Sequence, residues 1–297
     1  MPLFSMTLLL LCYLQYPINL YFLDELSTNT QNFCNNLYFF ELKYRTIYQA
    51  LGCGNYQTNS IEIQLLKSAS LWHLFVVSAG HFYSLKWLLK KIPFLNELLI
   101  QLLLLFFCFW TGLQEPAVLA WFCGISSIIS NCFNLNWDDN KKTLYCGVIC
   151  LILFPRWSQS LSLILSLMCR LILNFVQKFN SNLLKGILFF TLLLPLFGSS
   201  NLINPTGIIW NLLLGPILSF ILFPIAIIAM LFPQTLGSCI DYILDFLFWI
   251  LTLFQSNSQT NFNEKYKINS DFILLTKWTY VLIFSWVLFI RNQINKI

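Results

Sequence analysis

Residues 95–112 read LNELLIQLLLLFFCFWTG. No charged residue follows Glu97 within this run. As an α-helix it would be about 27 Å long, close to the thickness of a bilayer's hydrocarbon core. Similar runs lie on both sides of it. Residues 1–23 predict a first transmembrane helix, without the positive n-region and cleavage site of a signal peptide. Residues 116–132, 143–154, 158–176, 183–197, 206–232, 236–254 and 272–290 continue the pattern. With the mixed segment 65–89, the chain predicts about eight to ten membrane segments, several short or broken. The expected fold class is all-α, a polytopic transmembrane helical bundle.

Composition points the same way. Of 297 residues, 58% are hydrophobic and 10% charged, against about 25% charged in soluble domains. So little polar surface cannot coat a water-soluble body of this size. The net charge of +5 does not by itself imply an anionic partner, because Lys and Arg collect at the ends of membrane helices. Arg291 and Lys296 favour a cytoplasmic C-terminus.

Residues 24–64 are the exception to the apolar pattern. They are rich in Asn, Thr, Gln and Ser, and are expected to form a small polar extracytoplasmic loop before a membrane domain at 65–297. Most of the ten cysteines lie in apolar runs, where Cys acts as a small hydrophobe. Cys34 and Cys53 lie in the polar segment, where an oxidising compartment would let them pair. There is no C-x-x-C spacing, no metal-ligand set and no cofactor motif.

The two histidines of the chain occur together in SASLWHLFVVSAGHFYSLKWLL, residues 68–89. On one helix, Ser70, His73, Val77, Gly80, His81 and Ser84 share a stripe, with Trp72, Phe75, Phe82 and Lys86 opposite. In lipid such a stripe seeks another helix or a wet cavity. It reads either as a packing face or as a wall of a substrate path, with Ser78 completing the polar set. Metal binding fits poorly, since eight helical residues separate the rings by about 12 Å. Ser78 and His81 have the spacing of a nucleophile and base, but no acid nearby orients the base, so no catalytic set is assigned.

Pro116, Pro195, Pro205, Pro216 and Pro224 are expected helix breaks. Broken helices in a bilayer belong inside protein or around a water-filled cavity. Asp241 and Asp245 are four residues apart, on one helical face. They either line an interior path or sit at a membrane surface after Pro233.

At the histidine segment the chain resembles the membrane domain of the ComEC family, the inner-membrane channel for DNA uptake in competent bacteria. That family carries a His, a short apolar stretch, then Ser-Gly-x-His; here His73-Leu74-Phe75-Val76-Val77-Ser78-Ala79-Gly80-His81 has the Gly one place later. Gln114-Glu115-Pro116-Ala117-Val118-Leu119-Ala120 stands where the family has a Pro-Ser motif followed by Arg-Ala, with Ala117 and Ala120 in place of Ser and Arg. Pro155 with Leu161-Ser162 is similar to the family's Pro and Gln-Leu-Ser. Leu194-Pro195, then Asn204-Pro205 and Gly207 to Asn211 with Pro216 five residues on, match a further family segment.

The resemblance implies an inner-membrane, multi-pass channel component that passes single-stranded DNA during transformation. It implies a substrate path including Ser70, His73, Ser78, Gly80, His81, Ser84 and Asn211. It also implies partners: the lipid bilayer, a separate helicase motor, a nuclease, a DNA receptor and further copies of the chain. The family's nuclease signature is missing, with no histidine after His81 and no P-loop to drive transport. The competing expectation is a membrane enzyme or scaffold subunit acting on a lipid-linked substrate.

Overall fold

The computed structural model describes residues 21–37, 43–55, 60–68, 71, 78–135, 137–197, 214–215, 217–255 and 270–294. The protein is all-α: 85% helical, with no strand among the described residues. Ser70, His73, Asn211, Pro205 and Pro216 lie outside the described residues. The chain divides into two compact units, and the division falls within one helix.

The first unit holds α1 (Tyr21–Leu37), α2 (Arg45–Cys53), α3 (Ile61–Ser68), α4 (Ala79–Leu89), α5 (Glu97–Trp110), the start of α6 (Glu115–Cys132), α10 (Phe223–Leu231) and α11 (Pro233–Gln255). The segment read from sequence as a polar loop at 24–64 is thus largely helical. Its hydroxyl residues are compatible with helix because they bond back to carbonyls one turn earlier, Thr28 to Asp24 O (2.8 Å) and Thr30 to Leu26 O (3.0 Å). Cys34 and Cys53 form a disulfide joining α1 to α2.

This pair of helices is clasped to the turn between α5 and α6. Thr30 donates to Phe109 O (2.8 Å), Gln31 to Thr111 O (3.4 Å) as well as to Cys53 O within the pair (2.9 Å), and Gln114 to Gly54 O (3.2 Å). Two glycines make the close approach possible. Gly54 ends α2 with φ +66°, and a Cβ there would lie 2.5 Å from Thr111 O. Gly112 has φ +74°, and a Cβ would strike the Gln31 amide. Beneath the clasp, Cys34, Tyr44, Tyr48, Leu51, Leu222, Ala226, Leu244 and Phe248 belong to one buried cluster.

The second unit holds the rest of α6, then α7 (Asp139–Leu153), a 3-10 turn (Pro155–Gln159), α8 (Leu161–Val176), α9 (Asn182–Phe197) and α12 (Ser270–Ile294). α8 is its centre and packs on α7, α9 and α12. Its inward stripe of Leu163, Ile164, Leu167, Met168, Leu171 and Ile172 recurs at helical spacing. Trp278 Nε1 donates to Ser158 O (2.6 Å) and Tyr280 OH to Leu192 O (2.8 Å).

Two of the expected proline breaks are corrected. α9 runs through Pro195 to Phe197. Pro224 sits in the first turn of α10, directly after a π-helical turn at Leu218–Leu222. There Phe223 N–H bonds to Leu218 O, five residues back, so the widened turn absorbs the missing proline N–H without ending the helix. Pro116 does open a helix, in the first turn of α6.

Two helices, spanning Thr235–Thr252 in α11 and Leu274–Arg291 in α12, are long and apolar enough to cross a membrane. Only 28% and 33% of those windows are buried within the fold. Each carries large apolar side chains on its exposed face, Tyr242, Phe246 and Trp249 on α11 and Ile283, Trp286 and Val287 on α12.

Candidate functional site

The site is built on the N-terminus of α4. The sequence predicts one helix over 65–89 carrying both histidines, and the structure corrects this. Leu71 is outside any helix, and Ser78 is extended (φ −116°, ψ 168°) as the N-cap of α4. The helix carrying His81 therefore begins only after Ser78, and His73 lies outside the described residues. The cause is local: Ser78 N–H donates to His81 Nδ1 at 3.1 Å, the bond that Glu or Gln usually supplies three residues into a helix. Capping competes successfully with continuation because it satisfies an N–H that a helix start otherwise leaves open.

The cap also fixes the imidazole. With Nδ1 accepting from a backbone N–H, the ring proton of the neutral tautomer is on Nε2. His81 is fully buried. Its ring stacks on Phe223 at 4.5 Å between centroids, and Phe223 in turn meets the edge of Phe107 at 5.9 Å. Gly80 allows this packing: a Cβ there would lie 2.8 Å from Ser219 Oγ in the π-turn. The small residue is thus a spacer that brings the π-turn against the start of α4. Ser219 and Phe223 escape sequence reasoning, because their run reads as uniform apolar helix and a π-turn has no simple periodic signature.

Two polar atoms on this face, His81 Nε2 and Ser84 Oγ, are buried without a hydrogen-bond partner. Buried polar groups are nearly always paired, so each such atom calls for an explanation. Gly80, His81 and Ser84 are brought together on α4 with Ser78 at its cap. Ser78 Oγ lies 3.5 Å from His81 Nδ1, whose lone pair the Ser78 backbone already occupies. That geometry serves a helix cap and leaves the hydroxyl without a base.

A second polar cluster forms where the turn before α2 meets α11. Tyr48 OH donates to Asp241 Oδ1 and Gly237 O, each at 3.1 Å. Lys43 and Tyr44 both bond to Asp245. The Asp245 carboxylate holds the Lys43 ammonium above its usual range. Burial, reinforced by Asp245, pushes the Tyr44 phenol up. The shared face of Asp241 and Asp245 is legible in the sequence, but their partners, some two hundred positions away, are not. Among the described residues no cluster of three or more His, Cys, Asp or Glu could hold a metal ion.

In comparison with known proteins, no family model matches the chain, and neither does any curated protein or solved structure.

Proposed function

We propose that this chain is a multi-pass protein of the bacterial inner membrane that passes single-stranded DNA, with the N-terminus of α4 as part of its path. The observation that carries the membrane reading is the direction of its side chains. On α5, Leu98 (62% exposed), Leu102 (55%) and Phe106 (55%) form an outward apolar stripe at four-residue spacing. Tyr242, Phe246 and Trp249 on α11, and Ile283, Trp286 and Val287 on α12, do the same. Meanwhile His81, Ser84, Gln101, Thr111, Thr143 and Ser219 are buried. An apolar exterior around buried polar groups is the arrangement lipid favours and water penalises.

The substrate rests on the resemblance to the ComEC family. Backbone phosphates would meet positive groups and helix N-termini, and bases would slide past aromatic side chains that stack without sequence preference. His81 Nε2 and Ser84 Oγ supply unspent polar capacity at the cap of α4. A motor, a nuclease and a DNA receptor would be separate chains.

Carbonate extraction followed by labelled-DNA uptake tests the proposal. The expected result is a carbonate-resistant protein whose deletion abolishes uptake and whose His81→Ala variant takes up less DNA per molecule of protein present. Normal uptake in the deletion strain removes the DNA function. Release into the carbonate supernatant as a folded species removes the membrane reading as well.

A further inference from the structure

We infer that the disulfide end of the first unit faces the extracytoplasmic side, and that its opposite end, carrying Lys86, Lys90 and Lys91, faces the cytoplasm. This rests on the membrane reading above. Two independent features of the unit point the same way.

The first is redox chemistry. Cys34 and Cys53 are joined, and disulfides persist in oxidising compartments but not in a bacterial cytoplasm. The clasp places the end of α5 and the start of α6 at that same end, through the bonds of Thr30 to Phe109 O and Gln114 to Gly54 O.

The second is charge. α5 has 14 residues, or about 21 Å of helix between its ends. At its far end Lys86 and Lys90 both pair with Glu97, at 2.7 and 3.2 Å, and Lys91 lies over the Trp87 ring at 5.2 Å. Lys concentrated near membrane helix ends marks the cytoplasmic side, and Trp at the same level is an interfacial anchor. Trp110 closes the other end of α5. Between the two ends lies the outward stripe of Leu98, Leu102 and Phe106. Lys43 precedes the N-terminus of α2, and Asp245 pairs with it.

The second unit, considered alone, is polarised by the same rule. Arg170 Nε donates to Thr143 Oγ1 at 3.0 Å, which sets the start of α7 beside the end of α8. The Arg291 guanidinium lies over Phe175 and Phe179 at 4.8 and 5.8 Å, so α12 ends there too. Lys141, Lys142, Lys178, Lys185 and Arg291 therefore gather at one end; Arg156, in the 3-10 turn, and the buried Lys277, beside Trp278 on Ser158, stand at the other. The Lys-rich end of this unit is cytoplasmic.

A membrane-impermeant amine reagent, read out by peptide mass mapping, tests the assignment on the full chain in spheroplasts. Lys90 and Lys178 are native targets at the ends assigned to the cytoplasm, and both are exposed. The exposed positions Asn32 and Gln159, changed as Asn32→Lys and Gln159→Lys, report the opposite ends. The expected result is labelling at positions 32 and 159 in intact spheroplasts, and at Lys90 and Lys178 only after permeabilisation. Labelling of Lys90 or Lys178 without permeabilisation, in protein that resists carbonate, overturns the sidedness and leaves the membrane reading intact. So does protection of positions 32 and 159. Full labelling of a carbonate-extractable protein overturns both together.

Discussion

Removing the covalent tie between α1 and α2 should cost the folded protein about 3 kcal/mol. The change is Cys34→Ala with Cys53→Ala, which leaves no unpaired thiol. The two cysteines are 19 positions apart in sequence. Opening a ring of that size returns about 11 cal/mol/K of chain entropy to the unfolded state, or about 3 kcal/mol at 25 °C. Both cysteines are fully buried, so the lost sulfur packing adds to this. The folding equilibrium should fall by about a hundredfold or more. The assay is denaturation of detergent-solubilised protein by SDS, followed by tryptophan fluorescence, with and without reductant. Wild type in reductant should approach the double variant, and reductant should leave the double variant unchanged. A wild-type and double-variant difference under about 1 kcal/mol, with the bond intact by mass, refutes the idea that this ring organises the clasp.

Four further outcomes follow from the sites described. Gly80→Leu forces side-chain atoms into Ser219 and should destabilise by about 1–3 kcal/mol, partly recovered by adding Ser219→Gly; thermal unfolding in detergent measures both. His81→Phe preserves stacking on Phe223 but removes both the unpartnered Nε2 and the Nδ1 that caps α4, so it should cost about 1–2 kcal/mol and lower DNA uptake per folded molecule; unchanged uptake per molecule would separate His81 from the path. Tyr48→Phe removes the hydroxyl donor to Gly237 O and Asp241 Oδ1, leaving Asp241 only the Lys43 N–H among the described residues, and should cost about 1–2 kcal/mol in the same unfolding assay. Alkaline titration should loosen the α2–α11 junction. Lys43 and Tyr44 are both raised from ordinary values of 10.5 and 10.0, so their stabilising protons are bound below pH 10 and lost as pH climbs past those values. Hydrogen exchange of α2 amides, rising above pH 10 in wild type but less steeply in Tyr44→Phe, reads this.

The histidine segment shows where sequence reasoning stops. Its stripe of small and polar residues is visible at helical spacing, and Gly80, His81 and Ser84 do share one face of α4. The helix does not continue back through Ser78, because periodicity does not register a histidine that turns back to cap its own helix. Pro224 fails in the same way. Its identity predicts a lost hydrogen bond, but only the backbone shows the π-turn that accommodates it.

By itself the sequence determined that this chain is helical, that it is unusually rich in apolar and poor in charged residues, and that two cysteines stand apart from the rest. These are properties of composition and of spacing over a few turns, where one helical face repeats every three or four residues. Tertiary structure decided which helices meet. It brought Tyr44 and Tyr48 to Asp241 and Asp245, Ser219 and Phe223 to Gly80 and His81, and Gln31 and Gln114 to the disulfide. Those partners are far apart along the chain, and the choice among many equally apolar faces is made by packing complementarity, which no local pattern encodes.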